Sequence, residues 1–588
     1  MLRGAALVAL ALALAVVPVM AKKPSPQLRG VVEGYYGRPW TGAARRDVIR
    51  FMGDHGLDTF VYGPKNDPYH RDHWREPYPA DALADFRETA TTARKAKVRF
   101  VVAVSPGLDV CYACKDDFAA LTAKLRALAK ARVRYFALFF DDVFGGLTRP
   151  EDLARYGGSD QESLARAHAD LTNRTDRWLR RRGLPGLVFM VPSDYAGIEC
   201  HPYHGALARA LRPRIPIGWT GTGVFAITLG GAQARAFGDC VGGHPVVLWD
   251  NFPVNDTVLS SNLHLGPLTG RDADLTHALR GHLLNPMTQA HASLVAIGTA
   301  AAYFDDPAGY DPEAAWQATL WELDPSGGLA ILAAQTRSSP LDLDDARALG
   351  AAVELVAASH ATPDWTTAVA ALEAELDPQR GAPATIAANL GSTPLGDEIA
   401  PWVDELAAHV ATATDGARLL RAMKPNVADL TASTTAGQIR VTGRALPPDD
   451  ATIAALAGFA TVPALPSIGD LVTCKGNLLS ADIKLCPELG LNVHGKALYP
   501  VPYSLEDFQI ITGRNVYRKL LELIAARYAD YQSRKGPGAN ALTVTLEGAA
   551  ATLAPDGTFD VIATLPASGS AVLSISTAAG DATNVRVP

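Results

Sequence analysis

The sequence predicts an α/β chain: a (β/α)8 TIM barrel, then a helical bundle, then a small C-terminal β-rich module. Three observations predict it. Short β-branched and aromatic runs alternate with helical patterns through the first half of the 588 residues. Eight such units fit within about 280 residues, the size of one barrel. Polar residues gather at or just after the ends of the runs, the face where barrel active sites assemble. A doubly wound open sheet is the alternative.

The strands are read in order as 29–36, 58–62, 98–104, 135–140, 187–191, 215–219, 245–249 and 281–284. Most are near-continuous apolar runs, as parallel strands covered on both faces require. The eighth has the weakest pattern. Beyond the barrel, residues 311–440 are rich in Ala, Leu, Glu and Asp at helical spacing and read as a helical domain. Residues 441–540 read as a linker and mixed region that contains a helix near 514–531. Residues 541–588 alternate apolar and polar around Pro555-Asp556-Gly557 and read as a β-sandwich-like module.

Composition narrows the function. Hydrophobic residues make up 48% and charged residues 20%, enough for a large core and unlike a disordered chain. A net charge of −7 without a Lys/Arg cluster argues against nucleic acid as a partner. Met1-Leu2-Arg3, an apolar run to Met20 and Ala21 before Lys22 read as a signal peptide over 1–21, so the protein is expected to be exported, secreted or periplasmic. No later stretch is long and apolar enough to span a bilayer, so no membrane partner is expected after cleavage. Export permits disulfides among Cys111, Cys114, Cys200, Cys240, Cys474 and Cys486, whose pairing the sequence leaves open. Cys474 with Cys486 is a plausible local staple. Cys111-Tyr-Ala-Cys114 follows a barrel strand rather than opening a thioredoxin unit, and fits a structural bridge better than zinc ligation or redox chemistry.

The chemistry centres on Asp141-Asp142, which end the fourth run. Two carboxylates at a buried strand end are costly unless partners or function hold them there. A helix cap or solvated loop is the bland reading. A divalent metal site would need further ligands, for which Asp67, His70 and His73 are available without a recognised spacing. The third reading is a general acid beside a charge stabiliser, with mutual repulsion driving their proton affinities apart. Glycosidases usually place two carboxylates on opposite sides of the bond. Neighbours on one strand end suit a substrate-assisted route, in which the sugar's own 2-acetamido oxygen attacks the anomeric carbon. An oriented intramolecular nucleophile is strongly favoured, with effective molarities of about 10⁵ M or more.

At this point a resemblance emerges. Gly30-Val-Val-Glu-Gly-Tyr-Tyr-Gly-Arg-Pro-Trp-Thr41, Tyr62-Gly-Pro-Lys-Asn-Asp-Pro-Tyr-His-Arg71 and the Phe-Phe-Asp141-Asp142 end resemble glycoside hydrolase family 84. Trp219-Thr220-Gly221, Trp249-Asp250-Asn251, Asn255-Asp256 and Leu284-Asn285-Pro286 continue the match in order. The resemblance covers residues 28–310 and implies a β-N-acetylglucosaminidase, O-GlcNAcase-like, without metal or cofactor. It implies that Asp141 steadies the acetamide and the developing oxazolinium. Asp142 would be the general acid and then the base, and Tyr195 would position the acetamido oxygen. Gly34, through its carbonyl, and Lys65 would meet sugar hydroxyls. Trp249 would wall the acetamide pocket with Thr220 and Val224 nearby. Asn251, Asp256 and Asn285 would bind hydroxyls, with Asp256 closing the non-reducing end and so implying exo cleavage. Val191, Ser193 and Tyr35 depart conservatively from the family pattern. The expectation is thus an exo-acting, retaining, substrate-assisted enzyme on β-linked N-acetylglucosamine glycoconjugates. An endo-acting hexosaminidase on a hyaluronan-like polymer and a silent carbohydrate-binding or adhesion protein are the alternatives.

Overall fold

The structure, a computed structural model, describes residues 28–143, 145–256, 259–260, 262–342, 345–359, 364–460 and 514–588. The expected signal peptide and the Cys474–Cys486 staple lie outside the described residues.

Eight parallel strands close into a barrel: β1 (Leu28–Glu33), β2 (Thr59–Tyr62), β3 (Arg99–Val104), β4 (Tyr135–Phe139), β5 (Leu187–Val191), β6 (Ile217–Trp219), β7 (Val246–Asp250) and β8 (Gly281–Leu284). Closure comes from β1 pairing β8 in register Val31↔Leu284. The open-sheet alternative is thereby excluded, and all eight expected strands are present.

The period of two along each strand sorts the core. Val32, Val61, Val101, Ala103, Ala137, Phe139, Val247 and Leu283 fill the barrel interior. Their neighbours Val31, Phe60, Val102, Phe136, Leu138, Leu248 and Leu284 pack outward in the larger core shared with the surrounding helices. Both faces are dry, which is why these strands read as continuous apolar runs.

The polar strand ends are bought with buried ion pairs. At the end of β1, Glu33 receives Arg45 Nε at 2.6 Å and Arg45 Nη2 at 3.0 Å. At the end of β7, Asp250 receives Arg271 Nε at 2.8 Å and Nη2 at 2.7 Å, and meets His282 Nε2 at 2.8 Å. Burial alone would raise the Asp250 pKa, but the Arg271 guanidinium more than reverses this and holds it well below the usual carboxylate range.

A second core joins the helices Pro312–Leu323, Gly328–Gln335, Arg347–Ser359, Trp365–Leu390 and Pro394–Ala422 with the later helix Arg514–Arg534. Within the expected helical stretch and the linker after it, however, run two long strands, β9 (Asn426–Thr435) and β10 (Gln438–Leu446). They pair with each other, and β10 pairs with the strand Thr558–Thr564 more than a hundred residues later. The β-module is therefore two four-stranded sheets, one of which draws strands from both sides of residues 461–513. The reading of 541–588 as a small β-sandwich-like module did not include β9 and β10, because these strand partners are remote in sequence.

Candidate active site

The site forms at the C-terminal rim of the barrel, where the strand alternation reaches Asp141 and Asp142. Phe139 points inward and Phe140 outward, where its ring stacks on His168 with centroids 4.2 Å apart. A continued strand would aim Asp141 inward and Asp142 away. Asp142 instead has φ 55°, in the left-handed region, which turns the chain at that point. The guanidinium of buried Arg71 donates to both backbone carbonyls, Asp142 O at 3.0 Å and Asp141 O at 3.4 Å. Consecutive carbonyls of an extended strand diverge, so one guanidinium reaches both only because of the turn.

Both aspartate side chains are consequently drawn into one polar cluster. The Lys65 ammonium donates to Asp141 Oδ2 and stands 3.9 Å from Asp142 Oδ2, a cation between two anions. Asp142 receives Tyr36 OH on Oδ2 at 2.7 Å and Tyr195 OH on Oδ1 at 2.8 Å. The other Asp141 oxygen, Oδ1, is buried without a hydrogen-bond partner. An anionic oxygen in that state is held ready for a donor. Burial, and then Asp142, push the Tyr195 phenol far above its usual range, so it remains a proton-bearing donor.

The far wall follows from β7 and β8. Gly34 lies so close to Trp249 that a Cβ there would meet the indole at 2.1 Å, so the glycine is required by close approach. Gly34 N donates to Asn285 Oδ1 at 3.3 Å. Asn251 Oδ1 receives both Trp249 Nε1 and Asn285 Nδ2 at 3.0 Å, while Asn251 Nδ2 donates to Val224 O at 2.7 Å. Asn251 thus clamps Trp249, Asn285 and Val224 together as well as facing the site. Thr220 donates to Gly223 O at 2.8 Å and its amide bonds Tyr195 O at 2.9 Å, which ties the loops after β5 and β6 together. Asp256 accepts from Tyr36 N at 2.7 Å. Burial raises its pKa to about 6.

All eleven expected site residues therefore belong to one connected rim. Tyr195 differs in detail, since its hydroxyl is spent on Asp142. Two residues given no role from the sequence prove central, Tyr36 and Arg71. Both lay inside the matching motifs, but neither the Arg71 bonds to backbone carbonyls nor the Tyr36 bond to a carboxylate 106 residues away leaves a local sequence signal. Asp67, His70 and His73 are not brought together. Asp67 accepts from Tyr62 and Tyr78, His70 bonds Ala103 O, and His73 faces Glu76.

Among the described residues two other groups have metal-ligand types in reach, Cys111/Cys114/Glu151 and Asp194/His201/His204. In the first the cysteines are bonded to each other, and Cys200 is bonded to Cys240. In the second His204 Nδ1 accepts from His201 N at 3.2 Å, so its proton sits on Nε2, which lies 3.0 Å from Asp194 O. His204 is thereby committed to holding a loop.

A closed parallel barrel with adjacent carboxylates and a lysine buried at its C-terminal rim is the architecture of a barrel glycoside hydrolase. A family model described as NAGidase, beta-N-acetylglucosaminidase, matches residues 29–334, and the chain belongs to that family. Protein O-GlcNAcase from Rattus norvegicus and from Mus musculus are each 32% identical to it over 286 residues, 47% of this chain. That match spans 30% of the length of those relatives. Among solved structures, a mutant O-GlcNAc hydrolase from Thermobaculum terrenum superposes with TM-score 0.67 at 22% identity, covering 86% of this chain and 96% of that one. A structure titled as that of CpGH84B gives TM-score 0.60 at 26% identity over 68% of this chain and 70% of that one.

Proposed function

We propose that the chain is an exported, exo-acting, retaining β-N-acetylglucosaminidase that removes terminal N-acetylglucosamine from glycoconjugates by substrate-assisted catalysis. The observation that carries this reading is the asymmetry of the aspartate pair. Asp141 has one oxygen against Lys65 and one buried and unbonded. Asp142 has both oxygens bridged by phenols.

In this mechanism Asp141 Oδ1 accepts the acetamide N–H of the bound sugar. That contact strengthens as the amide oxygen attacks the anomeric carbon and positive charge develops on nitrogen, so it favours the transition state over the ground state. Asp142, in its protonated form, gives its proton to the leaving oxygen. It then takes a proton from the water that opens the oxazoline, which restores the acetamide and leaves the anomeric configuration retained. Tyr195, released from Asp142 when that group is protonated, donates to the acetamido oxygen. Asn285 and Asp256 take sugar hydroxyls, and a carboxylate at the non-reducing end leaves no room for a further residue.

The test is hydrolysis of an aryl β-N-acetylglucosaminide followed by NMR, together with product analysis on an oligosaccharide. The β-anomer is expected first, with single sugars released. The α-anomer first, or release of larger fragments, overturns the reading, and no turnover at all returns the chain to a binding role.

A further inference from the structure

We infer that the N-terminal end of the barrel, opposite the active site, is a docking surface for an anionic lipid bilayer. The inference goes beyond the function proposed above and does not rest on it.

The observation is an uneven distribution of charge around the end where the strands begin. The chain as a whole carries −7. Four neighbouring turns, those that lead into β3, β4, β5 and β6, run the other way. Residues 92–99, 129–134, 177–186 and 210–216 together hold 13 Lys or Arg and no Asp or Glu. The flanking turns before β2 and β7 hold Asp54, Asp58 and Asp239 without Lys or Arg, so the cationic arc has two acidic borders.

The four turns form one surface. β3 and β4 start side by side, with Val101 opposite Tyr135. Arg134 Nη2 donates to Gly183 O at 3.4 Å, which joins the turns before β4 and β5. Arg180, Arg212 and Arg214 share the buried Asp176, which joins those before β5 and β6. Lys97, Arg132, Arg134, Arg177, Arg181 and Arg182 are exposed, and among the described residues no carboxylate pairs with them. Helix dipoles attract cations to last turns, but Lys97, Arg132 and Arg134 lie beyond the helix ends at Lys95 and Lys130. The helices before β2 and β7 have no basic residue in their last turns.

The form of the surface selects the partner. Its cations sit on turns at one end of a cylinder and project in one direction, so a flat array of anions meets many at once. Clusters of this kind bind anionic lipid headgroups without any spanning segment. Apolar groups lie among the charges. Trp178 is half-buried with the Arg182 guanidinium 4.0 Å over its ring, and Leu184 and exposed Pro185 follow in the same turn. A membrane interface accommodates tryptophan and arginine together, whereas a purely ionic polymer gives the apolar groups nothing. Docking by this end leaves the C-terminal rim, with Asp141 and Asp142, facing away from the bilayer.

The experiment is co-sedimentation of the mature protein with phosphatidylcholine vesicles, with and without about 30 mol% phosphatidylglycerol, at low and high salt. Binding is expected to the anionic vesicles only, and to weaken as salt rises. Arg134→Glu and Arg181→Glu are each expected to lower partitioning about fivefold or more, the worth of one cation near an anionic surface. Arg586→Glu, at an exposed position of the β-module, changes net charge equally and is expected to stay within about twofold. An unchanged Tm reports that the variants fold, and Arg134→Gln and Arg181→Gln replace any reversal that does not. Equal binding to both vesicle types, binding to neither, or an equal loss in Arg586→Glu overturns the inference. Binding to heparin or duplex DNA with the vesicles ignored overturns it in favour of a soluble polyanion.

Discussion

The barrel rim and the C-terminal β-module spend charge in opposite ways. At the rim Glu33, Lys65, Asp141, Asp142, Asp250 and Arg271 are all buried, and each is met by an opposite charge. In the β-module the Arg440–Asp560 pair lies on the surface, and the core is apolar: Ile439, Val441, Val544, Leu546, Phe559, Leu573 and Ile575. Buried charge is expensive and persists only where partners compensate it. Among the described residues the module's buried charge is confined to Asp581, met by Lys424 and Arg534, whereas the rim gathers a constellation whose placement is tied to chemistry.

The sharpest way to break this contrast is to remove the rim charges. Asp142→Asn is expected to slow substrates with poor leaving groups by about 10²–10⁴, and good leaving groups far less, in steady-state assays across a leaving-group series. Asp141→Asn should slow every acetamido substrate regardless of leaving group. Arg271→Leu leaves Asp250 buried without its cation and is expected to cost about 3–5 kcal/mol in urea denaturation. The low Asp250 pKa gives the sign: its contribution is full above the unfolded carboxylate value and is lost as pH falls towards the folded one.

Smaller effects sharpen the contrast. Arg71→Ala frees the carbonyls of the aspartate pair and is expected to lower kcat by about ten- to a hundredfold with KM little changed, and Arg71→Lys should recover part of it. Asp256 accepts hydroxyls strongly only when ionised, and burial places its pKa at about 6. kcat/KM should therefore fall as pH drops below that value, and Asp256→Asn should remove that limb. At the other extreme Arg440→Ala in the module is expected to leave Tm and activity unchanged, since exposed pairs contribute little.

Legibility in the sequence tracked the same divide. The barrel strands were readable because both faces are dry, and the site because polar residues recur at strand ends such as Gly34, Lys65, Asp141 and Asn285. What escaped depends on contacts the sequence does not order: the left-handed turn at Asp142, the Arg71 bonds to backbone carbonyls, and the side-chain bond of Tyr36 OH to Asp142, 106 residues away. The module was misdivided because β10 finds its partner at Thr558–Thr564, and pairing at such separation leaves no local pattern.

The central claim is that the sugar supplies its own nucleophile while Asp141 and Asp142 divide charge stabilisation and proton transfer. The most direct measurement is kcat/KM across aryl glycosides whose N-acetyl group carries zero, one, two or three fluorines. A steep, monotonic fall with fluorination is the expected result, since each fluorine weakens the attacking oxygen. A flat series, or a covalent adduct between a protein side chain and the anomeric carbon, would contradict it.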